Sequence, residues 1–265
     1  MLKQRIITAL ILAPILIFLV LYGNIYGFAI LIAVIQLAAT FEWLKIIKLN
    51  TSLALVNALV LMLLTNYIIF IGLINIQTIG LVYLFIWLLA IFWLINHRWG
   101  YQNSQMQLLI KGSLGVSAIM VFSLAMNFIY IQANGVWLTM SLFFLIWVAD
   151  IGAYVSGKSM GKHKLAINIS PGKTWEGVMG ATVFVGIFAS LIGTHLSIVW
   201  WQTILIMIPV ALFSVIGDLA ASLGKRQAQI KDSSNLLPGH GGFIDRFDSL
   251  IAASPLYAYL LKYVL

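Results

Sequence analysis

Nine stretches of mostly apolar residues, near 6–22, 26–44, 53–72, 78–95, 112–131, 136–156, 175–194, 199–223 and 247–264, dominate this chain and decide its fold class. About 20 such residues span the hydrocarbon of a bilayer as a helix. In lipid no water satisfies the backbone, so the segments must close their hydrogen bonds internally. The expected fold is an all-α, polytopic membrane helix bundle of about nine transmembrane helices. Composition agrees: 62% of the 265 residues are hydrophobic and 8% are charged, against about 25% charged in soluble domains. The absence of cysteine excludes disulfides, thiolate zinc sites and iron–sulfur clusters. The first stretch follows Lys3 and Arg5 as a signal peptide would. No small-residue cleavage pattern succeeds it, so it reads as a retained helix.

Lys and Arg set the orientation. With the N-terminus in the cytoplasm, the alternation of nine spans puts every basic residue but Lys262 on the cytoplasmic side. The two longest polar segments, 157–174 and 224–246, fall on that side too. Up to residue 149 the only acid is Glu42, whose neighbours suggest no particular role; the other six acids lie in or beside the two polar segments. Chemistry is therefore expected in residues 132–265, with 1–131 as scaffold.

A carboxylate within a membrane helix costs about 2.5–3.5 kcal/mol at the bilayer centre and is usually functional. Asp150, in LFFLIWVADIGAYVSG, and Asp218, in ALFSVIGDLAASLG, are such residues. In KDSSNLLPGHGGFIDRFDS, 231–249, Pro238, Gly239, Gly241 and Gly242 form a tight turn around His240. Asp245 and Asp248 follow at a spacing that shares a helix face. With Asp218 they could make an oxygen-rich set of the kind Mg²⁺ uses beside substrate phosphates, and Arg246 could clamp a phosphate. The stretch SPGKTWEG, 170–177, opens the seventh helix with Ser170, Lys173, Thr174 and Glu176, where free N–H groups suit an anion. It is not a P-loop, since Ile167 stands where that pattern needs glycine and no strand is expected before it. Gly177, Gly180 and Ala181 suggest close helix packing, and His97, His163 and His195 stand alone.

The run SLGKRQAQIKDSSNLLPGHGGFIDRFD, 222–248, closely resembles the signature of phosphatidate cytidylyltransferases, also called CDP-diacylglycerol synthases. Asp150–Tyr154 and Ser170–Gly177 are similar to two further stretches of that family. The resemblance covers roughly the last 120 residues. It departs at Gly224, usually bulky and apolar, where a loosened helix end is expected, and at Ala221, often Glu. It implies transfer of a cytidylyl group from CTP to phosphatidic acid, releasing pyrophosphate, in phospholipid biosynthesis. Implied roles are Mg²⁺, with room for a second cation, on Asp218, Asp245, Asp248 and Asp150. Lys173, Lys225, Arg226 and Arg246 would neutralise phosphates, and Ser170, Thr174, Glu176, Lys231, Asp232, His240, Gly241 and Gly242 would shape the substrate site. Partners would be CTP, phosphatidic acid and the lipid bilayer, not nucleic acid, with a homodimer left open. The expected location is a bacterial inner membrane with the active site facing the cytoplasm, and Asp245→Asn is expected to stop turnover without unfolding the protein. The rival readings are another nucleotide-dependent lipid-modifying enzyme or a cation-coupled transporter.

Overall fold

The computed structural model describes residues 2–73, 75–196, 198–237, 239 and 241–264; for residues 2–9, 11 and 12 it describes the backbone alone. Nine helices occur among the described residues: α1 (Leu2–Tyr22), α2 (Ile25–Ile46), α3 (Thr51–Phe70), α4 (Ile76–Ile95), α5 (Gln105–Tyr130), α6 (Gly135–Met160), α7 (Trp175–Ile192), α8 (Trp200–Gln227) and α9 (Ile244–Leu261). Seven of them, α2 to α8, are long and apolar enough to cross a membrane. Helix α9 is excluded by Asp245, Arg246 and Asp248 in its first two turns, and the described apolar part of α1 is Ala13–Tyr22.

Helix ends depart from the expected spans where polar residues cap or extend them. Helix α5 starts at Gln105, several residues early, because Ser104 and Gln107 form a reciprocal capping box. Helix α8 runs on to Gln227, and α9 begins at Ile244. The polar segment expected at 224–246 is thus largely helical at both ends, with Lys225, Arg226, Asp245 and Arg246 on helices. Nor is 157–174 a plain loop: α6 continues to Met160, then β1 (Lys164–Ala166) pairs antiparallel with β2 (Ser170–Thr174). This hairpin corrects the expectation that no strand runs into α7; its two short strands lack the alternating apolar pattern that would mark them.

Hydrogen bonds gather the polar ends of the helices at one end of the bundle. Trp43 Nε1 donates to Lys111 O (3.0 Å), Gln227 Nε2 to His97 O (3.1 Å) and Trp99 O (2.7 Å), and Lys111 Nζ to Gly100 O (2.9 Å). Asn168 of the α6–α7 segment lies 3.2 Å from the His97 ring and Arg226 donates to Ile169 O (3.4 Å), so the α2, α4–α5, α6–α7 and α8–α9 junctions meet. At the other end Tyr130 OH donates to Gly23 O (2.7 Å) and its ring stacks on Phe28 at 3.9 Å. Helices α6 and α7 pack closely because their contacts are small: a Cβ on Gly180 would lie 1.9 Å from Ser156 Oγ. In lipid, association depends on such close packing.

Candidate active site

Strand β2 and the first turn of α7 carry one half of the site. Thr174 caps α7, its Oγ1 accepting from Gly177 N (3.1 Å). Glu176 turns instead to His163, accepting from its backbone N–H at 3.2 Å, with the ring Nδ1 at 2.6 Å. Ser170 opens β2, paired with Ala166. Lys173 reaches across to α8, its Nζ 2.6 Å from Asp218 Oδ2. Both side chains keep part of their surface open, 25% and 33%. Beside them a cavity of about 160 Å³ is lined by Asp150, Tyr154, Lys173, Thr174, Ser214 and Ser249, among others. Asp218 lies within electrostatic reach of both Asp150 and Asp248. The structure thus brings together Asp150, Lys173, Asp218 and Asp248 from four different elements.

The second half is the turn between α8 and α9. Lys225 and Asp245 form a buried pair, Nζ to Oδ1 2.5 Å, with side chains 10% and 6% exposed. Asp245 Oδ2 accepts from Ser233 N (2.8 Å), Ser233 Oγ (3.0 Å) and Gly242 N (3.0 Å). Lys225 on Oδ1 and the Ser233 and Gly242 amides on Oδ2 hold both carboxylate oxygens, so Asp245 organises this turn from within. Gly241 adopts φ +81°, and Leu237 N donates to its carbonyl (2.9 Å). Lys231 and Asp232 are exposed. Arg226 approaches Ile169 O and Ile230 O, both at 3.4 Å. His240 and Pro238 lie outside the described residues.

At 3.6 residues per turn, α9 presents Asp245, Asp248 and Ala252 on one flank and Arg246, Phe247 and Leu250 on the other. The first flank packs on α8, where a Cβ on Gly217 would lie 2.5 Å from Ala252 Cβ. The second borders a groove of about 370 Å³ walled by Leu16, Leu31, Ile35, Phe143, Trp147, Phe247 and Leu250, with Arg246 at its polar end. On α6, Phe143 and Trp147 of this groove share a helical stripe with Asp150 and Tyr154 of the polar cavity.

Gly224 does not loosen a helix end. Helix α8 continues past it, and a Cβ there would lie 2.8 Å from the Trp43 ring. Ala221 lines a small apolar space of about 60 Å³ with Trp43, Trp87, Trp93 and Asp248. Among the described residues no three His, Cys, Asp or Glu side chains converge as a metal cage. That pattern still fits magnesium, which is commonly held by one or two carboxylates plus substrate phosphates; Asp218, with Asp150 and Asp248 in reach, offers that donor set.

One residue escaped sequence reading. Glu42 of α2 is 1% exposed and accepts from Ser233 Oγ, Ser234 Oγ, Phe243 N and Ile244 N. Its signal was its isolation as the first half's single acid.

Apolar helices that end in a cluster of cationic and acidic side chains define an integral membrane protein with a candidate site at one end of its bundle. The profile of the Cytidylyltransferase family matches residues 3–264, and the chain belongs to that family. It is 36% identical to a phosphatidate cytidylyltransferase of Pseudomonas aeruginosa, covering 98% of this chain and 97% of the relative. Proteins of the same name from Haemophilus influenzae (33%, all of both chains) and Bacillus subtilis (34%, 98% and 97%) are similar over their full length.

Proposed function

We propose that this protein transfers a cytidylyl group from CTP to phosphatidic acid at the cytoplasmic face of a bacterial inner membrane. A phosphate oxygen of phosphatidic acid attacks the α-phosphorus of CTP. A new P–O bond forms, the bond from the α-phosphorus to the bridging oxygen of the β-phosphate breaks, and pyrophosphate leaves with that electron pair. The nucleophile is already anionic, so no strong base is required. The obstacles are charge repulsion and alignment, which positioned cations relieve.

The observation that carries this reading is that two cavities border one stripe of α6, the groove at Phe143 and Trp147 and the polar cavity at Asp150 and Tyr154. The polar one, with Asp150 and Lys173 at its wall and Asp218 paired to Lys173, suits the triphosphate. The apolar groove, with Arg246 at its polar end, suits a lipid entering from the bilayer with its phosphate toward Arg246. Lys173, Arg226, Lys231 and Arg246 would hold phosphate oxygens. Asp218, with Asp150 or Asp248 as a second carboxylate, would hold magnesium, which when bound would neutralise charge on the triphosphate. Asp245 would join that set only by exchanging Lys225 for the ion. Near-complete coverage of three relatives named for this activity supports the same reading.

Label position tests it. With purified protein, phosphatidic acid and magnesium, label from α-labelled CTP should enter lipid, and label from γ-labelled CTP should appear in pyrophosphate. Label from the γ-position in lipid would instead establish a lipid kinase.

A further inference from the structure

Glu42 sits one turn from the end of α2, almost without solvent contact (1% exposed). Its Oε1 accepts from Ser234 Oγ (2.6 Å) and Phe243 N (2.9 Å), its Oε2 from Ser233 Oγ (2.8 Å) and Ile244 N (2.9 Å). The donors lie 191 to 202 residues away in sequence. Every one belongs to the α8–α9 turn or the start of α9.

Helix α9 has no side-chain cap of its own. Its first N–H groups would otherwise lack partners, and the carboxylate that meets them comes from α2. An anion at a helix N-terminus is also favoured by the dipole. The turn is shaped around this carboxylate: a Cβ on Gly242 would lie 2.4 Å from both Glu42 oxygens and 2.1 Å from Ser233 Oγ. The contact passes onward, because the Ser233 hydroxyl lies between Glu42 Oε2 (2.8 Å) and Asp245 Oδ2 (3.0 Å), and Asp245 holds Lys225. A chain of direct contacts therefore runs from Glu42 through Ser233 and Asp245 to Lys225.

We infer that Glu42 is a positioning residue for the transfer reaction. It fixes the 233–244 turn and the first turn of α9, and with them the placement of Arg246 at the groove, of Ser249 at the polar cavity and of Asp248 toward Asp218. The first half of the chain thereby completes the site rather than only walling it. The inference rests on the proposed activity, while its structural part can be read without turnover.

The test compares Glu42→Gln and Glu42→Asp with the wild type in detergent, measuring kcat, both KM values, melting temperature and amide hydrogen exchange at 243 and 244. The amide of Gln keeps one acceptor oxygen and turns an NH₂ group toward donors. Misplacement of this order lowers kcat by about 10²-fold. The expected result for Glu42→Gln is that loss in the folded fraction, with faster exchange at 243 and 244, and partial recovery of both in Glu42→Asp. Wild-type kcat per folded molecule, with only the melting temperature lowered, would overturn the positioning role. Wild-type exchange at 243 and 244 would overturn the clamp itself. If Glu42→Gln does not fold, Ser234→Ala, which removes one donor, carries the same two readouts. An inactive wild type whose exchange responds as expected would refute the activity and leave the clamp standing.

Discussion

Lys173 Nζ and Asp218 Oδ2 stand 2.6 Å apart, joining strand β2 to α8 beside a polar cavity that Lys173 lines. The contact brings the SPGKT stretch and the half-buried aspartate of α8 into one place, although 45 residues of sequence and an entire spanning helix separate them. A cation and a carboxylate held together, both partly open, can each exchange the other for substrate phosphate or metal.

Asp218→Asn and Lys173→Met should each lower turnover by about 10²–10³-fold, the scale of losing one preorganised electrostatic group. Because the pair is partly exposed, its loss should cost stability only about 0–1 kcal/mol. Initial rates and melting curves on the same preparations separate the two effects.

The Lys225–Asp245 pair should behave oppositely. It is buried, and removing one partner strands the other at a cost of about 3–5 kcal/mol. Asp245→Asn should therefore lower the melting temperature as well as activity, which revises the expectation from sequence that the protein would stay intact. A double-mutant cycle with Lys225→Met should show coupling of about 0.5–3 kcal/mol, read from thermal or denaturant unfolding.

Gly242→Ala should destabilise the protein by about 1–3 kcal/mol through overpacking, since its methyl group would press on Glu42 and Ser233. Gly172→Ala, where nothing lies within 4 Å, serves as the control and should leave the unfolding midpoint unchanged.

Arg246→Gln should raise the KM for phosphatidic acid more than tenfold while moving that for CTP less, because Arg246 ends the apolar groove rather than the polar cavity; a lost charge-assisted hydrogen bond of about 1.5–3 kcal/mol is of that size. Varying each substrate at saturation of the other measures the split.

Much of this was legible because the bilayer is a demanding solvent. Apolar runs had to be helices, and the clustering of Asp150, Asp218, Asp245 and Asp248 near two basic segments marked the end of the bundle where chemistry belongs. Helix ends were not legible: Lys225, Arg226, Asp245 and Arg246 read as loop because they are polar, yet their backbones are helical. The β1–β2 hairpin carries no periodic apolar signal across 164–174. Nor could spacing show that Asp245 is occupied by Lys225 and the 233–242 amides, or that Glu42 caps a helix some 200 residues later. Those facts depend on how α2 and α9 pack, which no local pattern encodes.

The most direct test of the central claim is turnover of purified protein with phosphatidic acid, labelled CTP and magnesium, in parallel with Asp218→Asn. The account predicts labelled CDP-diacylglycerol and pyrophosphate in equal amounts, dependent on magnesium and lost in the variant. A well-folded wild type that forms neither product, or a variant that forms both at the wild-type rate, would contradict it.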